Sequence, residues 1–459
     1  MKAIILLSAL GVLTMFTGLY NHKSKLLPMI LIGLVAIFIL NLFDWNTNIR
    51  YYSDMVYFDN YALAFTGLIL CIAFLIFLLS GNYYKKDTTH LEDNYAILLF
   101  TLVGAVIMVS FSNLVMLFIG IEILSISLYI LAGSKKTNLK SNEASLKYFL
   151  MGSFATGFLL FGIVLLYGAT GSFNLQSITT YVTINIHQLP AIFNMGILLM
   201  MIGLTFKLSV VPFHFWTPDV YEGSPTLITS FMATVVKTAG FAAFFRLFAT
   251  CFVSVNEIYA LTLSVMAVLT MSFGNIIAVY QTGLKRMLAY SSIAHAGYML
   301  LAILAMNQQS ATSILLYTAA YSIATIAAFT ILMLVKETTG NDNFDSFNGL
   351  AKNNPFLGVV SIITMLSLAG IPVTAGFFAK YFIFSIAVSN GYLWLVIVAV
   401  LNSAVGAYYY FKVIIAMYFK ESNSETTITI VPAYKAVLII TALLTLILGI
   451  VPGLIINLK

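Results

Sequence analysis

Charge is scarce in this chain. Lys and Arg number 22 and Asp and Glu 16 among 459 residues, so only 8% of positions are charged. A soluble domain carries about 25%, and so few ionisable groups cannot solvate a globular surface of this size. A water-soluble enzyme is excluded. So is a disordered chain, which requires high charge and low hydrophobicity. Cysteine is nearly missing: Cys71 and Cys251 stand far apart, each inside or beside an apolar run. Without a Cys-x-x-Cys pair the chain cannot hold an Fe–S cluster alone. No Gly-x-Gly-x-x-Gly follows a strand pattern, which argues against a dinucleotide fold. No His pair has metal-ligand spacing, so no metal site is expected. The net charge of +6 is not gathered into the basic cluster that a nucleic-acid partner requires. If redox chemistry is involved, another chain performs it.

Apolar residues are what the chain has: 61% of positions, with a mean hydropathy of +0.99. That is the composition of a polytopic membrane protein. A bilayer core of roughly 30 Å takes about 20 apolar residues in a helix. Only helices and closed barrels satisfy their backbone polar groups in lipid. Period-2 alternation is missing and the apolar runs are long, so an all-α protein is expected. The runs give about fourteen spans, near 3–20, 27–43, 61–80, 94–111, 113–132, 144–168, 191–215, 226–251, 257–280, 287–306, 310–335, 356–386, 391–418 and 432–456. Spans four and five are separated only by Ser110 to Asn113. The first span lacks a small-x-small cleavage site before Tyr20, Asn21 and His22, so it reads as a helix and not as a signal peptide.

Loops after odd-numbered spans carry Lys23, Lys25, Lys85, Lys86, Lys135, Lys136, Lys140, Lys285, Arg286, Lys336, Lys352, Lys420 and Lys435. Loops after even-numbered spans carry essentially Arg50 alone. The positive-inside rule puts the basic loops in the cytoplasm and both termini outside. Lys285 and Arg286 read as an anchor of this kind.

A few ionisable residues fall inside spans: Glu122 in FIGIEILSISLYIL, Lys207 in MMIGLTFKLSVVPFHFW, Lys237 in FMATVVKTAGFAAFF and Lys380 in LAGIPVTAGFFAKYFIF. Each costs about 2.5–3.5 kcal/mol at a helix centre, and the four together roughly 10–14 kcal/mol if unpaired. They must face the bundle interior, paired or hydrated. One reading is structural, with buried charges that fix helix register. The other is a proton path, which three lysines and a glutamate in separate spans favour. A buried lysine gives up its proton more readily because burial disfavours the ammonium. A carboxylate that approaches or retreats can load and unload it, and Glu122 is the candidate partner of Lys207. Sodium would require oxygen ligands, which lysine does not offer.

His295, in YSSIAHAGYML, is a candidate relay, with Tyr290, Ser291, Ser292 and Tyr298 able to line a hydrated path. His214 is a second candidate, and a hydrogen-bonded core histidine is the plainer alternative for both. Asp219 and Glu222, in WTPDVYEGSPT, either draw protons to the cytoplasmic mouth or belong to a polar turn that caps the next helix. Spans seven and twelve are broken: Pro212 follows Lys207, and Gly370, Pro372 and Gly376 precede Lys380. Interrupted spans at matching positions of two halves suggest an inverted repeat. Spans 4–8 (94–252) and 9–13 (253–419) form the two units, flanked by helices 1–3 (1–93) and helix 14 (420–459). The lysine precedes the proline in one unit and follows it in the other.

The stretches FKLSVVPFHFWTPDVYEGSPTLITSFMATVVKTAGFAAFFR, LKRMLAYSSIAHAGYML and GIPVTAGFFAKYFIF are similar to the antiporter-like subunits of bacterial NADH–quinone oxidoreductase (respiratory complex I), subunit N in particular. GIEILSISLYIL resembles the fifth helix of the same family, and the similarity runs over almost the whole chain. The resemblance implies fourteen helices, inverted repeats over spans 4–8 and 9–13, and breaks in helices 7 and 12. It implies that Glu122, Lys207, Lys237 and Lys380 transfer protons. It implies other membrane-arm subunits as partners, with FMN, Fe–S clusters and quinone in those partners and none in this chain. The bacterial inner membrane is the implied location. The sister subunit M usually carries glutamate at the position of Lys380, so Lys380 favours subunit N. Multisubunit Na⁺/H⁺ antiporters share the fifth- and seventh-helix pair and are the nearest alternative; FHFWTPDVYEGSPT favours subunit N. A membrane-arm scaffold without its own proton path is the third reading.

Overall fold

The computed structural model of the chain describes residues 1–19, 23–85, 90–421 and 428–458. Tyr20 to His22 and Lys86 lie outside the described residues. Among those described, the chain is helical except for one antiparallel hairpin, Ile49–Tyr51 with Val56–Phe58. Among the described residues, eleven helices are long and apolar enough to cross a membrane. Three shorter sets complete fourteen passes: Lys2–Leu19, Ala191–Lys207 with Trp216–Gly223, and Pro355–Ala369 with Ala375–Ser389.

The boundary between spans four and five falls where expected. The fourth helix ends at Ser110 and the fifth begins at Leu114, capped by the Asn113 side chain on the Val115 amide. Several helices extend beyond the expected limits, two of them to thirty residues or more. The sixth span is Leu139–Thr170, capped by Asn138, and the eleventh is Ser310–Thr339. The helix Leu175–Ile184 was not foreseen: ten residues are too few for a membrane window. It buries one face, Leu175, Ile178 and Val182.

Close backbone packing holds the site helices. A Cβ on Gly162 would come within 2.7 Å of the Met200 amide and 2.9 Å of the Gly196 carbonyl. The sixth and seventh spans therefore cross backbone to backbone, the contact that drives helix association where lipid gives no hydrophobic contrast.

Both broken spans satisfy their interrupted backbone within the protein, as broken helices in a bilayer must. At the seventh, the Val211 amide donates to Thr270 Oγ1 of the ninth span (2.9 Å). The indole of Trp216 donates back to the Phe206 carbonyl (3.1 Å). At the twelfth, Gly370 ends the first half in the left-handed conformation (φ +84°) that glycine adopts readily. Beyond it, Gly376 lies so close to Ser367 that a Cβ would fall 1.8 Å from the carbonyl oxygen.

Candidate functional site

The four intramembrane charges predicted from sequence lie in three groups. All three lysines are buried, with Lys207, Lys237 and Lys380 at 6%, 3% and 7% exposure.

Lys207 is the last residue of the first half of the seventh span. Its ammonium donates to Ser125 Oγ (2.8 Å) and Tyr148 OH (3.2 Å). The rings of Tyr129 and Tyr148 flank it at 5.9 and 5.3 Å. Tyr148 is fixed by stacking on Trp216 with centroids 4.6 Å apart, so the residue that closes the helix break also positions the lysine's partner. Glu122 does not form an ion pair with Lys207. Its Oε1 has no hydrogen-bond partner among the described residues. Ser125 and Glu122 are three residues apart on one helix, on adjoining positions of the same face. The lysine is held by the hydroxyl, one turn from the carboxylate.

Lys237 begins the helix Lys237–Cys251, directly after a π-helical turn, Met232–Val236. Such turns are rare and occur often at functional sites. Its ammonium donates to Ser292 Oγ (2.6 Å) and to the Ser292 carbonyl, and the ring of Tyr321 lies 5.4 Å away. Three residues on, His295 is fully engaged. Nδ1 meets Tyr317 OH at 2.7 Å, and Nε2 meets Tyr410 OH at 3.2 Å. A cavity of about 10 Å³ touches His295, Tyr317, Ser367 and Gly376, the size of one water. Of the other residues proposed to line a path here, Ser291 bonds Tyr410 and Tyr298 accepts from Asn275 (2.9 Å). Tyr290 is half-buried.

Lys380 reaches from the second half of the twelfth span back to the Ala369 carbonyl (2.8 Å), where the first half ends, and to Ser403 Oγ (2.8 Å). The ring of Tyr298 lies 5.1 Å from its ammonium. The two repeats thus agree better in space than in sequence. Each sets a lysine at the C-terminus of a half-helix, where the helix dipole favours a cation, although one lysine precedes the break and the other follows it.

His214 is not joined to the lysines by a hydrogen bond. Its Nδ1 has no partner among the described residues, and its ring lies against Phe215 and Phe273. Asp219 and Glu222 belong to an ion network. Asp219 pairs with Lys147 (3.0 Å) and Arg286 (3.1 Å). Glu222 pairs with Arg286 (2.7 Å) and Lys140 (3.1 Å).

Lys285 differs from the surface anchor expected. It is buried, and its ammonium donates to the carbonyls of Glu222 (3.0 Å) and Ser224, closing the C-terminal end of Trp216–Gly223. Sequence reasoning also missed Ser125, Tyr148, Tyr317, Ser403 and Tyr410. They carry no charge to mark them, and their only signal is a polar atom inside an apolar span.

The model of the family described as "NADH:quinone oxidoreductase/Mrp antiporter, TM" matches residues 111–406. NADH-quinone oxidoreductase subunit N of Flavobacterium psychrophilum is 44% identical, with all of both chains covered. Among solved structures, a chain of respiratory complex I from Thermus thermophilus superposes with a TM-score of 0.85 at 31% identity, covering 99% of this chain and 98% of that one. A chain of the Mrp complex from Dietzia has a TM-score of 0.88 at 19% identity, covering 100% and 96%; that likeness concerns the fold.

Proposed function

The chain belongs to the NADH:quinone oxidoreductase/Mrp antiporter family of membrane subunits, and from that premise we propose that it is a proton-translocating subunit, of the subunit N kind, of an NADH–quinone oxidoreductase. Its partners are the other membrane-arm subunits of a hetero-oligomer. FMN, Fe–S clusters and quinone in those partners carry the electrons. This chain supplies the translocase part, and its residues move protons only. The basic loops orient it in the bacterial inner membrane with both termini outside. Residues 94–252 and 253–419 form the two inverted repeats, between 1–93 and 420–459.

The observation that carries the reading is that Lys207, Lys237 and Lys380, the three lysines deep within spans, rest on hydroxyls and carbonyls and not on carboxylates. An ammonium fixed by a buried ion pair would be an inert strut. One held by neutral oxygens can lose its proton and leave its partners uncharged. Lys207 accepts a proton, and Glu122, one turn from the hydroxyl that holds it, tunes its hold as the two approach or separate. Lys237 and His295, with water, carry the proton along the midplane. Lys380 is the exit-side carrier. Asp219 and Glu222 lie at the cytoplasmic end, where their network ties the second half of the broken seventh span to Arg286 of the tenth. We retain His214 as a relay candidate of lower rank, because its ring has an open nitrogen.

The test uses the whole complex in proteoliposomes. NADH-driven proton uptake is expected to persist without sodium and to slow strongly with Lys207→Ala. Uptake that requires sodium would favour the antiporter reading. Undiminished uptake in the variant would remove Lys207 from the path.

A further inference from the structure

The path leaves a gap at His295, between the Lys237–Ser292 pair and Lys380. We propose that Tyr410 of the thirteenth span serves it as a proton-relaying hydroxyl between Ser291 and His295. The proposal rests on the path through Lys237 and Lys380.

The helix Leu393–Phe419 carries no ionisable acid or base from Leu393 to Phe411 except its tyrosines, so charge-based reading passes over it. Its buried face nevertheless touches both ends of the gap. The Tyr410 hydroxyl contacts Ser291 Oγ and His295 Nε2, which are four residues apart on one face of the tenth span. Seven residues earlier on the thirteenth span, on the same face, Ser403 accepts from Lys380 (2.8 Å). Two turns separate Ser403 and Tyr410, roughly 11 Å along the axis. A second pair of bonds stiffens the interval: Tyr409 OH donates to Asn275 Oδ1 (2.9 Å), and Asn275 Nδ2 donates to Tyr298 OH (2.9 Å). The Tyr298 ring is also the surface against which the Lys380 ammonium lies.

A phenol hydroxyl both donates and accepts. When Tyr410 gives its proton to His295 Nε2, its O–H bond breaks as an N–H bond forms. The Ser291 hydroxyl proton then refills the phenol oxygen, and water or the neighbouring Ser292–Lys237 pair refills Ser291. The reverse order discharges His295. No electron moves, and Tyr410 ends each step neutral. Tyr317, on the other ring nitrogen, holds the imidazole in place.

The experiment is NADH-driven proton uptake by proteoliposomes containing the complete complex, recorded with NADH oxidation in H₂O and in D₂O. Tyr410→Phe removes one oxygen atom and keeps the ring. A positioned proton-transfer group contributes roughly 10²–10⁴-fold, so uptake is expected to fall at least about tenfold, with a larger D₂O effect in the remaining flux. Ser291→Ala, which removes the same bond from its other end, is expected to act in the same direction. 3-Fluorotyrosine at position 410 keeps the hydrogen bonds with a more acidic phenol, and its pH profile of uptake is expected to shift to lower pH. Tyr408→Phe, at an exposed site two residues from Tyr410, is expected to behave as the parent. Lys237→Met separates the two claims. If it abolishes uptake while Tyr410→Phe and the fluorinated chain leave rate, D₂O effect and pH profile unchanged, the path stands and the tyrosine relay is overturned. If none of the substitutions matters, the path itself fails and the relay with it. If Tyr410→Phe does not assemble, Ser291→Ala and the fluorinated chain decide by the same criteria.

Discussion

Lys207 donates to Ser125 at 2.8 Å, while Glu122, one turn away on the same helix, keeps an oxygen without a hydrogen bond. The serine holds the ammonium, and serine and glutamate take adjoining positions on one helix face, so the two are expected to compete for Lys207.

Ser125→Ala is therefore expected to let Lys207 pair with Glu122, and a proton held in an ion pair leaves more slowly. Proton uptake should slow several-fold. Adding Glu122→Gln should restore part of it, so that the double variant is less impaired than the two single losses predict. A coupling of about 0.5–3 kcal/mol is usual for contacting residues. A double-mutant cycle on uptake rate measures it, and strict additivity would mean that the serine does not compete with the glutamate.

Gly376→Ala is expected to damage the break in the twelfth span, because its Cβ would lie 1.8 Å from the Ser367 carbonyl oxygen. Backbone cannot yield as a flexible side chain can. Overpacking of this kind costs about 1–3 kcal/mol. Thermal stability of the purified complex, followed by loss of this subunit, reads it. Gly157→Ala, with nothing within 4 Å of the added atom, is the matched control and should leave stability unchanged.

The ion network around Arg286 makes a prediction about charge. Asp219 pairs with Lys147 and Arg286, and Glu222 with Arg286 and Lys140. Arg286→Ala leaves each carboxylate one cation and should cost little, of the order of 1 kcal/mol or less for such half-exposed pairs. The difference should shrink further at high salt, which screens exposed pairs. Melting temperature of both proteins at low and high salt checks it, and a large loss that salt does not change would contradict it.

How much of this was legible in the sequence follows from what each residue signals. The spans were readable because twenty-residue apolar runs have few alternatives in a bilayer. The two breaks were readable because Pro212, Gly370 and Pro372 cannot continue a helix in place. Lys207, Lys237 and Lys380 stood out because an intramembrane charge is costly. Most of their partners did not stand out. Ser292 was marked by its place beside His295, but Ser125 and Ser403 are ordinary polar residues within spans, and Tyr148 and Tyr410 are two of 26 tyrosines. Only the packing of the helices shows which hydroxyls meet a lysine or histidine. Lys285 was misjudged for a related reason. The positive-inside rule counts basic residues near span ends and has no knowledge of depth, so it cannot separate a lysine facing water from one that caps Trp216–Gly223.

Proton translocation by this chain requires Lys207, Lys237 and Lys380 to change protonation during turnover, and Lys237 is the central one of the row. The direct measurement is the number of protons taken up per electron passed from NADH, recorded in the same proteoliposomes for the parent complex and for Lys237→Ala. A lower ratio is expected in a variant that still assembles with its partners. An unchanged ratio at an unchanged rate would contradict it and leave the lysines as structural charges.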